Sequence, residues 1–390
     1  VRALGLMSGT SLDGVSAALV ELTPREGGYF IEIDRFETIP FEPAFRTKML
    51  DQIVAPNAPS PARIAEIDRE LGVRFAAAAR AVARDLRPDF VASHGVTVFH
   101  DGAAHWTMQL GDPYLIRDAL EATVVFDFRR ADCAAGGEGA PLVPYVDALL
   151  FASAKVDTIS LNLGGIANVT IVPRDAQPDR VAAWDCGPGN MLIDAFVRSR
   201  TGGKQHYDKG GAHAIAGRVD RAILGRLLRN SYFAQVPPKS TGRERFGAAF
   251  ITRYEKSLAK LSLEDGCATL AALTVEAIAR DIERWGPAEG RVIISGGGVR
   301  NKALLAGIAV RLGRRFAVRP SDDFGIDPDA KEALAFAILG YETLRGRAAS
   351  LPRVTGADRA AVLGAIVPFG LSALLAKMEG ELAEANVGRQ

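Results

Sequence analysis

"ALGLMSGTSLDGVSAALVEL", residues 3–22, reads as an apolar strand, a turn rich in hydroxyls and glycine, and a second, alternating strand. "TISLNLGGIANVTIVP", residues 158–173, repeats that plan without repeating the residues. β-formers flank a Gly-containing turn carrying hydroxyl or amide side chains in both. One such hairpin in each half of the chain points to an internal duplication, and hence to two related α/β halves.

The rest of the chain fits that division. Tyr29–Ile39 reads as a third strand, and Pro43–Ile53 and Pro61–Leu86 as helices. "DFVASHG" reads as a buried strand ending in a turn at Gly95, and "TVVFDFRR" as another strand. The Gly-rich connector "CAAGGEGAPLVP", residues 133–144, reads as a boundary. It gives a first domain over 1–132, onto which 350–390 could pack back, and a second over 133–349. In that second half, "AAWDCGPGN" predicts a strand running into a rigid turn. "RVIISGGGVRN" predicts a strand and a triple-glycine turn opening directly into a helix. Helices are expected over Leu270–Trp285 and Ala330–Arg345, and a terminal strand and helix end near Ala385.

Among 390 residues, 47 are Lys or Arg and 46 Asp or Glu, a net charge of +1. The basic excess of a nucleic-acid binder is missing. Hydrophobic residues at 48% and charged residues at 24% are ordinary for a soluble globular protein. Three scattered cysteines, Cys133, Cys186 and Cys267, support neither a disulfide framework nor a zinc ribbon, and fit a reducing compartment. No signal peptide is read at the N-terminus. "AAVLGAIVPFGLSALLA", residues 360–376, is too short and too broken by Pro368 and Gly370 for a bilayer span.

Five motifs carry chemistry, each with a plainer reading beside it. "MSGTSLDGV", residues 7–15, offers backbone N–H groups and hydroxyls to an anion and Asp13 to Mg²⁺, or is a self-satisfied hairpin turn. Gly164-Gly165 is a phosphate-facing loop or a tight turn. Gly296, Gly297 and Gly298, with Asn301 behind them, form a helix-entry anion platform that matches neither a dinucleotide fingerprint nor a Walker A loop. Asp185, at the end of an apolar strand before Gly-Pro-Gly, is placed as a general base or as a turn carboxylate. Arg129 and Arg130 offer guanidinium forks to an anionic ligand, or pair with Asp127, Asp132 or Glu138. His94 is a buried-strand histidine, and Glu332 a carboxylate at a helix start. Cys186 has no histidine cued to activate it.

Taken in order, these motifs make the chain resemble the anhydro-N-acetylmuramic acid kinase family of the sugar kinase/Hsp70/actin ATPase superfamily. The likeness runs from Leu4 to Pro368 through "GLMSGTSLDG", "DFRR", "GAPLVP", "NLGGIAN", "WDCGPGN", "PKSTGRE", "SGGG", "EALAFA" and "LPRVTGA". Val96 stands where the family usually has Gln, Cys186 where it has Thr, and the tail is longer than typical.

The resemblance implies two RNase H-like domains flanking an ATP cleft. It implies ATP contacts at Gly9, Thr10, Ser11, Leu12, Asp13, Gly14, Val15 and Ser16, at Gly164 and Gly165, and at Gly296, Gly297, Gly298 and Asn301. It implies Mg²⁺ at Asp13, sugar contacts at Thr97, Arg130 and Glu332, and Asp185 as catalytic base. The implied reaction opens 1,6-anhydro-N-acetylmuramic acid with water and phosphorylates O6 from ATP. A cytoplasmic homodimer acting in peptidoglycan recycling, with no membrane or nucleic-acid partner, completes the expectation. An ordinary sugar hydroxyl kinase and a non-catalytic ATP-driven switch are the alternatives.

Overall fold

The computed structural model describes residues 1–9, 12–25, 28–53, 59–175 and 177–387. The chain divides into two compact units, residues 1–149 with 330–390, and residues 150–329.

In the first unit, β1 (Arg2–Ser8), β2 (Gly14–Arg25) and β3 (Gly28–Pro40) form an antiparallel meander. β4 (Phe90–Asp101) lies parallel to β1 on its other side and pairs antiparallel with β5 (Trp106–Leu110). β6 (Thr123–Phe126) continues parallel to β4. Leu4, Leu6, Ala17, Leu19 and Val91 are buried against the Ala-rich helix Pro61–Ala83, which contributes Leu71, Phe75, Ala79 and Val82. Ser60 caps that helix by accepting from the Arg63 N–H, and Pro61 fills its first turn where no donor is needed.

The second unit repeats the connection. β7 (Thr158–Leu163), β8 (Ile166–Val172) and β9 (Ala182–Pro188) form a meander. β10 (Gly290–Ser295) runs parallel to β7, and β11 (Phe316–Pro320) parallel to β10. The order 9-8-7-10-11 matches 3-2-1-4-6 of the first sheet. This shared path, with the second strand antiparallel and the fourth parallel to the first, is the RNase H-like arrangement. It places the duplication at the level of topology. The helix Leu263–Trp285, capped by Ser262, runs through the second core and buries Cys267, Leu270, Leu273, Ile278 and Ile282.

Residues 133–149 and 330–349, expected in the second domain, cluster here with the first unit. The helix Lys331–Leu344 packs on β1, β2 and β4, and Lys331 pairs with Asp147 at 2.7 Å, both side chains 4% exposed. The last strand, β12 (Ala365–Val367), pairs antiparallel with β6 and leads into the helix Leu371–Val387. Three expectations shift in detail. β4 continues through Gly95, whose φ of +71° bends it without ending it. The long helix begins at Leu263, because Ser262 supplies the cap. The triple glycine opens a short 3-10 turn, and the helix Lys302–Leu312 starts only after Asn301. Among the described residues, no helix is long and apolar enough to cross a membrane.

Candidate active site

Asp185 sits in β9, where the pairing with β8 slips. Asn168 faces Asp185 and Ala167 faces Gly187, so Cys186 is an extra residue and β9 bulges. A bulge increases local twist and re-aims neighbouring side chains. Three hydrogen bonds then fix Asp185. Its N–H donates to the Lys239 carbonyl at 3.0 Å, and its carbonyl accepts from the Tyr232 hydroxyl at 2.7 Å. Its Oδ2 accepts from the Thr241 N–H at 2.8 Å. Oδ1 has no hydrogen-bond partner among the described residues. Burial pushes the Asp185 carboxyl up to about 6, against the Thr241 N–H; Glu244 adds to the rise and Lys239 opposes it. A carboxylate poised near neutrality, with one oxygen held and the other open, has the properties of a general base. Cys186 is fully buried and burial pushes its thiol well up, so it is no nucleophile.

Two turns meet at the far ends of β7 and β9. The Gly189 N–H donates to the Gly165 carbonyl at 2.8 Å, and the Asn190 N–H to the Gly164 carbonyl at 2.9 Å. A Cβ on Gly189 would fall 2.2 Å from the Gly164 carbonyl oxygen, so the contact needs glycine. Gly298 is buried beside Leu163, and the Gly296 N–H donates to the Pro328 carbonyl at 3.0 Å. Gly297 is exposed. Asn301 Oδ1 caps the helix Lys302–Leu312 by accepting from Ala303 and Leu304 N–H. The expected open helix N-terminus behind the glycines is therefore already filled. A hollow of about 480 Å³ lies beside these glycines, lined by Gly296, Val299, Arg300, Asp322, Gly325, Asp327, Pro328 and Asp329.

In the first unit, Thr10 and Ser11 lie outside the described residues. The Gly9 carbonyl accepts from the Leu12 N–H at 3.0 Å, and Leu12 takes φ +52° with its side chain in the core. Asp13 is exposed and pairs with Arg46 at 2.7 Å. Gly14 is required by strand packing, since a Cβ there would meet the Ile39 carbonyl at 2.3 Å. Val15 is buried, and the Ser16 and Thr38 hydroxyls are 2.9 Å apart. Thr97 accepts from Gln109 Nε2 at 3.2 Å, and Val96 is fully buried.

Arg130 is 70% exposed and pairs with Asp127 at 3.1 Å, as its plainer reading had it. Arg129 turns inward. Its Nε donates to His94 Nε2 at 2.9 Å and its Nη1 to the Gly139 carbonyl at 3.0 Å. His94 Nε2 is therefore an acceptor, so Nδ1 carries the proton and donates to the Gly95 carbonyl at 3.0 Å. Burial, reinforced by Arg129, holds His94 well below its usual range. Glu332 remains solvent-reached at the start of its helix. The protein around it pushes its carboxyl up, while Lys331 and Arg129 pull it back.

Sequence reasoning missed the partners of Asp185. Lys239 and Asp281 form an ion pair at 2.7 Å, with side chains 2% and 3% exposed. Lys239 lies in the "PKSTGRE" motif, but nothing in the helical pattern around Asp281 marks it as Lys239's partner.

The sequence profile of anhydro-N-acetylmuramic acid kinase matches residues 1–369. The protein of that description from Acidithiobacillus ferrooxidans is 42% identical over 372 residues, 94% of this chain and 92% of that one. Its counterpart from Xanthomonas oryzae pv. oryzae is 41% identical, covering 94% and 97%. Among solved structures, the activator of 2-hydroxyisocaproyl-CoA dehydratase from Clostridium difficile aligns over 88% of this chain and 95% of its own, with 15% identity and a TM-score of 0.38.

Proposed function

The chain belongs to the anhydro-N-acetylmuramic acid kinase family, and on that premise we propose that Asp185 is the base that activates water in the reaction. The protein is an ATP-dependent kinase of 1,6-anhydro-N-acetylmuramic acid in peptidoglycan recycling. Water adds to C1, the C1–O6 bond breaks, and O6 takes the γ-phosphoryl group of ATP, giving N-acetylmuramic acid 6-phosphate and ADP.

The observation that carries the role of Asp185 is its asymmetric carboxylate. Thr241 holds Oδ2 at 2.8 Å, while Oδ1 is left to accept a proton from water. As that proton moves to Oδ1, the water oxygen bonds to C1. An inverting glycosidase needs a second carboxyl group to protonate the leaving oxygen. Here the leaving oxygen is captured by phosphorus, so one base is enough.

The joined turns carry glycine at 164, 165 and 189, so their backbone can approach phosphate oxygens closely. The hollow beside Gly296 suits the adenosine end; the assignment of residues 9 and 12–16 to ATP rests on the family likeness alone. Arg130, largely exposed, is free to exchange Asp127 for the sugar's carboxylate; Thr97 and Glu332 are assigned to its hydroxyl and amide groups.

Mg²⁺ usually binds through one or two carboxylates plus substrate phosphates, and keeps waters. Asp13 fits that demand as a single exposed carboxylate, released from Arg46. A metal there would offset charge on the phosphate oxygens. No group of three or more acidic, His or Cys ligands exists among the described residues, and substrate phosphate oxygens would complete such a site. A homodimer working in the cytoplasm is part of the same proposal, supported by the likeness to the family.

The decisive assay supplies anhydro-sugar, ATP and Mg²⁺ in ¹⁸O-water and follows the 6-phosphate by mass spectrometry before anomeric exchange. Label at C1 is expected. Product without label would replace hydrolytic opening with another route.

A further inference from the structure

We propose that Lys239 and Asp281 are positioning residues for Asp185, holding the loop that carries Thr241 against β9. The inference rests on the reading of Asp185 as base and names what keeps that base in place.

The two side chains lie 2.7 Å apart inside the second unit, both buried from solvent. A pair this buried is a weak source of stability, because desolvation offsets its attraction. Its effect here is geometric. Lys239 supplies the carbonyl that accepts the Asp185 N–H at 3.0 Å. Thr241, in the same loop, supplies the N–H that holds Oδ2 at 2.8 Å. The Lys239 ammonium also lies 4.8 Å from the centre of the Tyr232 ring, whose hydroxyl donates to the Asp185 carbonyl at 2.7 Å. Two of the three tethers thus come from the loop that carries Lys239 and the third from the ring beside its ammonium, and Asp281 anchors that ammonium to the helix Leu263–Trp285.

The pair also sets the local charge. The titratable groups around Asp185 are Lys239, Glu244, Tyr232, Cys186 and Asp281. Lys239 favours the ionised base and Glu244 opposes it. Asp281, pushed up by burial and drawn down by Lys239, balances the ammonium.

The test compares Asp281→Asn, Lys239→Met, the double variant Lys239→Met/Asp281→Leu and Asp185→Asn. Both single variants are expected to lose about tenfold or more in kcat, within the ~10²-fold that an ångström of misplacement costs. Their ATP Kd, by calorimetry, stays within about twofold of wild type. The acid limb of kcat/KM moves in opposite directions. It moves down in Asp281→Asn, where the ammonium is left uncompensated, and up in Lys239→Met, where it is gone. Loss of packing alone would not split the two.

The double variant removes both charges together and guards against single variants that fail to fold. Its kcat is expected to fall as well, with the circular dichroism of the native fold. Wild-type kcat and an unmoved acid limb in the single variants, or wild-type kcat in a folded double variant, would overturn the proposal. If Asp185→Asn is inactive in that case, the base assignment survives and only the positioning role falls. If Asp185→Asn turns over like wild type, the base assignment fails and takes the positioning role with it.

Discussion

The Asn190 N–H donates to the Gly164 carbonyl at 2.9 Å, so the turn after β7 and the turn after β9 are one rigid piece. Gly189 lies at the seam, with no room for a Cβ. Gly189→Ala is expected to force the turns apart at a strain of about 1–3 kcal/mol. Read in ATP binding, that is a roughly 10- to 100-fold rise in KM for ATP. Steady-state kinetics with ATP varied check it; an unchanged KM would detach this seam from the phosphates.

Asp185 must be ionised to act, and its carboxyl is held near 6. The acid limb of kcat/KM is therefore expected near pH 6, falling about tenfold per unit below it. Asp185→Asn loses at least ~10²-fold in kcat, the lower end for a positioned base, while ATP still binds. A pH-rate profile flat down to pH 4.5 would exclude this carboxyl.

The same shift has a consequence for stability. A carboxyl whose folded value is raised makes the folded state bind protons more readily than the unfolded chain. The cost is absent below the unfolded value near 3.8, grows as pH rises from there to about 6, and stays constant above it. Asn keeps an oxygen for Thr241 but has no charge to bury. Asp185→Asn is expected to be more stable than wild type at pH 8 by on the order of 1–3 kcal/mol, and to approach it below about pH 3.5. Denaturant melts at both values decide.

His94 is held neutral between the Arg129 guanidinium and the Gly95 carbonyl. Its ring is expected to show no NMR titration from pH 8 to 5.5. Because its folded value is lowered, it destabilises the fold as pH drops below the unfolded value of 6.5. A ring signal that titrates near 6.5 would break the Arg129–His94 assignment.

Arg130 is mostly exposed, and surface pairs like Arg130–Asp127 contribute about 0–1 kcal/mol. Arg130→Ala is expected to leave the melting temperature nearly unchanged. KM for the anhydro-sugar should rise about tenfold, the cost of losing a charge-assisted contact. An unaltered sugar KM would remove it from the binding site.

Both hairpins were legible because strand alternation around a glycine turn is a local signal, and β10 was legible from its apolar run Val292–Ile294. Asp185 stood out by its place between an apolar strand and Gly-Pro-Gly, but a turn carboxylate fits that place as well, and only the resemblance singled it out as a base. The bulge at Cys186 was not, since pairing slips depend on the neighbouring strand. The Lys239–Asp281 pair was hidden because its members meet only through tertiary folding. Arg129 and Arg130 looked alike in sequence; only the packing around His94 turns one inward and leaves the other in solvent. Asn301 was read toward the nucleotide, yet its side chain is committed to the helix that follows.

The first unit is built from residues 1–149 and 330–390, while residues 150–329 are continuous. During translation the middle stretch has all its partners once residue 329 clears the ribosome, whereas the sheet begun by β1 must wait for the helix Lys331–Leu344 and for β12 beside β6. Premature termination just past residue 329 would thus release a finished second unit attached to a sheet still missing its cover.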